Sequence, residues 1–62
     1  NEQVRKASIR LLRVHNLRAA DALQLAAALV WTGHNPDGVW FVCMDKRLRE
    51  AAGREGFNVL PK

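Results

Sequence analysis

Two acidic residues stand out by their surroundings. Asp21 lies near the start of the segment 19–31, in which the only other polar residue is Gln24. Asp45 lies two residues beyond the apolar run Val39-Trp40-Phe41-Val42-Cys43. Each has an ordinary structural use. An acid in the first turn of a helix meets the positive end of the helix dipole, a gain of about 0.3–1 kcal/mol. An Asp just before a helix caps it, contributing about 1 kcal/mol. The dipole accounts for an acid at a helix start but not for one on so apolar a helix, where a buried carboxylate needs a partner or a metal. Capping, for its part, does not account for the place of Asp45. In open parallel sheets, ligands bind beyond the carboxyl ends of the strands. Capping uses one carboxylate oxygen and leaves the other. Two carboxylates suit a hard divalent cation, magnesium or manganese, which prefers oxygen ligands. They are too few to anchor a two-metal phosphodiesterase centre. A separation of 24 residues is also unspecific by itself.

Other reactive side chains offer less. Gln24 lies one turn after Asp21 on the same helix face and reads with it as the polar edge of a cleft. His15 stands at a helix end, where it caps or is solvated. His34 is in a loop with no acid or cysteine close in sequence. Cys43 is the only cysteine, has no base beside it and reads as a strand residue of the core. No Cys/His spacing for zinc occurs. There is no glycine-rich phosphate loop and no G-x-S-x-G turn. Asp37 falls in a turn sequence and reads as a turn residue. Trp31 and Trp40 sit in apolar context and read as core or interface anchors.

The elements that must position these residues are set by periodicity. Val4, Ala7, Leu11 and Val14 recur at helical spacing and predict an amphipathic helix over 2–14. Its basic residues Arg5, Lys6, Arg10 and Arg13 lie mostly off that stripe, a solvated face. Asn16 is a reasonable N-cap for the next helix. Residues 18–32 predict that second helix, apolar almost all round and rich in alanine, which should be covered on most sides. Gly33 ends it, and Asn35-Pro36-Asp37-Gly38 is a turn. The unbroken apolar run 39–43 predicts a strand covered on both faces. Residues 46–55 predict a third helix, with Leu48, Ala51 and Ala52 inward and Gly56 as its stop. Residues 57–60 predict a closing strand before Pro61. The order is α-α-β-α-β, and the last three elements make a βαβ unit with parallel strands.

Composition narrows the setting. Ten Lys/Arg against six Asp/Glu give a net charge of +4, which suits nucleic acid or an acidic protein partner. No apolar run approaches the roughly 20 residues of a membrane span. The polar, charged N-terminus is no signal peptide. A single free thiol fits a reducing cytoplasm. A unit of 62 residues buries only about 60% of its unfolded surface. Without a disulfide, extra core is expected from further sequence or from oligomerisation.

Two segments resemble a known family. Residues 17–29, Leu-Arg-Ala-Ala-Asp-Ala-Leu-Gln-Leu-Ala-Ala-Ala-Leu, resemble the third acidic motif of PIN-domain nucleases. Residues 41–52, Phe-Val-Cys-Met-Asp-Lys-Arg-Leu-Arg-Glu-Ala-Ala, with Glu55-Gly56-Phe57 after them, resemble the fourth. The resemblance implies an α/β fold: a Rossmann-like, three-layer α/β/α PIN-like domain, with residues 1–62 as its C-terminal half and the N-terminal half absent. It implies an endoribonuclease using Mg2+ or Mn2+, with Asp21 and Asp45 as catalytic metal ligands. Many bacterial members are VapC-type toxins paired with a cognate antitoxin. Arg18 and Lys46 flank the two acids in sequence and read either as contacts to RNA phosphates or as ordinary surface charge. The family often has Thr or Ser two residues before the fourth acid, where this chain has Cys43. The acids of the first half of such a domain are not in this chain. Three readings are open: a ribonuclease inactive without that half, a PIN-like module that binds an antitoxin or dimerises, and a small basic helical nucleic-acid binder. The strand 39–43 weighs against the last, because it needs a sheet.

Overall fold

A computed structural model describes residues 1–61. Its elements are α1 (Glu2–Val14), α2 (Ala19–Trp31), β1 (Trp40–Val42), α3 (Lys46–Glu55) and β2 (Asn58–Leu60). The chain is therefore a mixed helix and strand structure in the expected α-α-β-α-β order. The strands pair in parallel, Trp40 with Asn58, Phe41 with Val59 and Val42 with Leu60. Backbone bonds prolong the ladder at both ends. Asn58 N–H donates to Val39 O at 2.9 Å, and Cys43 N–H to Leu60 O at 3.0 Å.

The helix boundaries have local causes. Asn1 caps α1, its Oδ1 accepting from Val4 N–H at 2.8 Å. Ala7, Ser8 and Leu11 turn inward. The Ser8 hydroxyl is satisfied by Arg5 O at 2.8 Å. Val14, expected on the same stripe, is 59% exposed. The helix ends there, and His15, in extended backbone, takes the next buried position. Asn16 does not cap α2. The capping position is Arg18, without a side-chain bond, and Asn16 is exposed. The turn expected at 35–38 is displaced by one residue, since Val39 N–H closes on Pro36 O at 2.9 Å. At the end of α3, Gly56 has φ +110, and a Cβ there would stand 3.1 Å from Pro36 Cγ. Both facts favour glycine.

The core is Ala7 and Leu11 of α1, Ala22, Leu25, Ala26 and Leu29 of α2, Leu48, Ala51 and Ala52 of α3, and Phe41 and Phe57. The two phenyl rings meet with centroids 5.4 Å apart and planes tilted by 53°. α1 packs along α2, whose Ala22 and Ala26 are buried. Two elements expected to be covered on most sides are covered on one side only within the described residues. α2 is covered on one face, and Leu23, Ala27 and Trp31 are exposed on the rest. β1 is likewise covered on one face: Phe41 is buried while Trp40 and Val42 are exposed. Trp31 and Trp40, at 81% and 53% exposure, are not core residues. In register, Trp40, Val42, Asn58 and Leu60 share the open face of the sheet.

One polar cluster ties the helices together. Arg10 Nη2 donates to Glu55 Oε1 at 2.6 Å, and Nη1 reaches Oε2 at 3.3 Å. His15 Nε2 lies 2.8 Å from Glu55 Oε2. His15 is thus the C-cap of α1, its N–H donating to Leu11 O at 2.9 Å, and its ring is buried and paired rather than solvated. The Arg10 guanidinium, with His15 assisting, holds the Glu55 carboxyl below its ordinary range against the opposing effect of burial. No helix among the described residues is long and apolar enough to cross a membrane.

Candidate functional site

Asp21 sits in the first turn of α2, and Asp45 is the N-cap of α3. The packing of α2 on α3 brings these two helix starts together. Asp21, Asp45, Arg18, Lys46 and Arg47 line one cleft of about 270 Å³. The residues singled out from sequence, 24 positions apart, therefore share a site. Both helix N-termini direct the positive ends of their dipoles toward it. Three cationic side chains surround two carboxylates, so the cleft is net positive before any ion binds.

The two acids are held differently. Asp45 is exposed and firmly placed. Its Oδ1 accepts from Leu48 N–H at 3.0 Å, and its own N–H donates to Cys43 Sγ at 3.3 Å. Among the described residues its Oδ2 has no hydrogen-bond partner, the division of labour that capping allows. Asp21 is half-buried. It makes no side-chain hydrogen bond among the described residues. Its carboxylate oxygens face the cleft and are free to take a ligand.

These donors fit one hard divalent ion. Magnesium commonly takes one or two carboxylates and completes its shell with water and phosphate oxygens. No group of three or more His, Cys, Asp or Glu gathers among the described residues. Arg18, Lys46 and Arg47 supply the donors that bind phosphate oxygens.

Some expectations about the site change. Gln24 is exposed and does not line the cleft. Cys43 lies just past the end of β1, half-buried and packed against the core, with its thiol also accepting from Asp45 N–H. Sequence reasoning passed over Arg47, which lines the cleft, and Arg49, which bonds the carbonyls of Cys43 and Met44 just before Asp45. The available signal was their position in the first turns of a helix whose cap was already under suspicion. No family model matches the chain, and no curated protein or solved structure matches it.

Proposed function

We propose that the chain belongs to a PIN-like, three-layer α/β/α domain, contributes its C-terminal part, and that the complete domain is a metal-dependent endoribonuclease. In this reading it hydrolyses RNA phosphodiester bonds with Mg2+ or Mn2+ in the cytoplasm. It is the toxin of a toxin–antitoxin pair, with a cognate antitoxin and a second copy of itself as protein partners. The observation that carries the reading is the meeting of Asp21 and Asp45, one from each motif, in a single cation-rimmed cleft.

The residues divide the work. Asp21 and the free Oδ2 of Asp45 are the ligands for the cation. When bound, a divalent ion supplies Lewis-acid activation of water and of the scissile phosphate. Arg18, Lys46 and Arg47 attract the RNA backbone and hold a phosphate against the acids. Their charge also offsets what develops on the phosphate as the bond breaks. The acids contributed by the rest of the domain complete the cluster.

A second reading is favoured by the open sheet face. Trp40, Val42 and Leu60 on one uncovered surface suit a PIN-like module that binds a protein partner without catalysis. Cleavage of structured RNA by the full-length protein, with and without divalent metal, separates the two. The nuclease reading requires metal-dependent cleavage that fails in Asp21→Asn and Asp45→Asn. Cleavage at the wild-type rate by either variant removes that residue from the site.

A further inference from the structure

We infer that Arg49 is a positioning residue for Asp45, fixing the loop that aims its carboxylate into the cleft. This rests on the metal-binding reading of the cleft. The chain leaves β1 at Val42 and enters α3 at Lys46, so Cys43 and Met44 are the whole approach to Asp45. Cys43 N–H is taken by the sheet. The two carbonyls are not, and Arg49 takes both. Its Nη1 donates to Cys43 O at 3.0 Å and to Met44 O at 2.9 Å. Bonds from a charged donor are stronger than neutral ones, and the bond to Cys43 O is part-buried while that to Met44 O is exposed.

The result is a closed frame around one acid. Arg49 holds the two peptides before Asp45, the Cys43 thiol takes its N–H, and Leu48 N–H takes Oδ1. Only Oδ2 is left over. Arg49 stands one helical turn after Asp45, so its aliphatic stem runs back along α3 to reach the loop. The other arginine engaged with another element, Arg10, grips a carboxylate far from the cleft. Arg49 alone among the described arginines spends its donors on backbone beside the site.

The test measures Mn2+ binding to the full-length protein without RNA, by calorimetry or by loss of the free-ion electron paramagnetic resonance signal. Partners behind a metal ligand typically alter affinity by about 10–100-fold when removed. Arg49→Met should weaken Mn2+ binding about tenfold, and saturating Mn2+ should restore cleavage. Glu55→Gln, which loosens the α1–α3 contact away from the cleft, should lower the melting temperature and leave Mn2+ affinity unchanged. If Arg49→Met lowers the melting temperature but binds Mn2+ like the wild type, its role is structural and the inference is overturned. Arg49→Lys carries the same comparison should the Met variant not fold: weaker Mn2+ binding supports the inference, and wild-type binding overturns it. Asp45→Asn separates the two levels. Unchanged Mn2+ binding there removes the metal reading itself, whereas its loss alongside an unaffected Arg49→Met removes only Arg49.

Discussion

Two of the meetings of acid and base among the described residues are built in opposite ways. In the Arg10–Glu55–His15 cluster one carboxylate faces two donors. Both its oxygens are used, and it is largely buried. In the cleft, two carboxylates face three cations, yet no ion pair joins them among the described residues. The first cluster is saturated and holds α1 to the end of α3. The second keeps donor oxygens and cationic groups unspent. Charge that is already paired supports the fold, and charge left unpaired within reach of a cleft is available to a ligand.

Substitutions should separate the two clusters. The largest effect belongs to the cleft. Asp45→Asn in the full-length protein should reduce metal-dependent cleavage by about a hundredfold, within the span expected for a charge-stabilising group. Its stability to urea should barely move, because Asn caps a helix about as well as Asp. The saturated cluster should behave inversely. Glu55→Gln should cost about 1–2 kcal/mol in urea unfolding, a modest value because Arg10 is half exposed, and should leave RNA cleavage intact.

The pH dependence sharpens the same contrast. Glu55 has a folded-state pKa below its unfolded value, chiefly through Arg10. Its contribution to stability is therefore complete above the unfolded value of about 4.3 and is lost as pH falls through the lower folded value. An acid titration followed by circular dichroism should show that loss, and Glu55→Gln should remove it. The smallest effect is electrostatic. Arg47→Ala should weaken RNA binding across sequences and flatten the plot of log affinity against log salt by about one unit of slope.

Much of the fold was legible in the sequence, and the failures share a cause. Helical spacing located α1 and α3, and the apolar run located β1 to within a residue at each end. Asp21 and Asp45 were visible because a charge on an apolar background contrasts with its neighbours. The Glu55–His15 contact spans 40 positions and carries no local pattern, so it emerged only with the tertiary packing. Arg47 and Arg49 look like any basic pair on a helix until the loop carbonyls and the cleft are in place. The tryptophans were assigned by hydrophobicity, which measures what a residue prefers and not whether this chain has a layer to offer it.

The exposed tryptophans have a spectroscopic consequence. With both at the surface and no tyrosine in the sequence, nearly all near-ultraviolet emission originates outside the core. In this segment, melting the core should leave that emission close to its solvent-exposed wavelength. Covering Trp40 and its neighbours should shift it toward the blue. The intrinsic fluorescence of these 62 residues is thus a weak gauge of folding and a sensitive gauge of occupancy on the open sheet face.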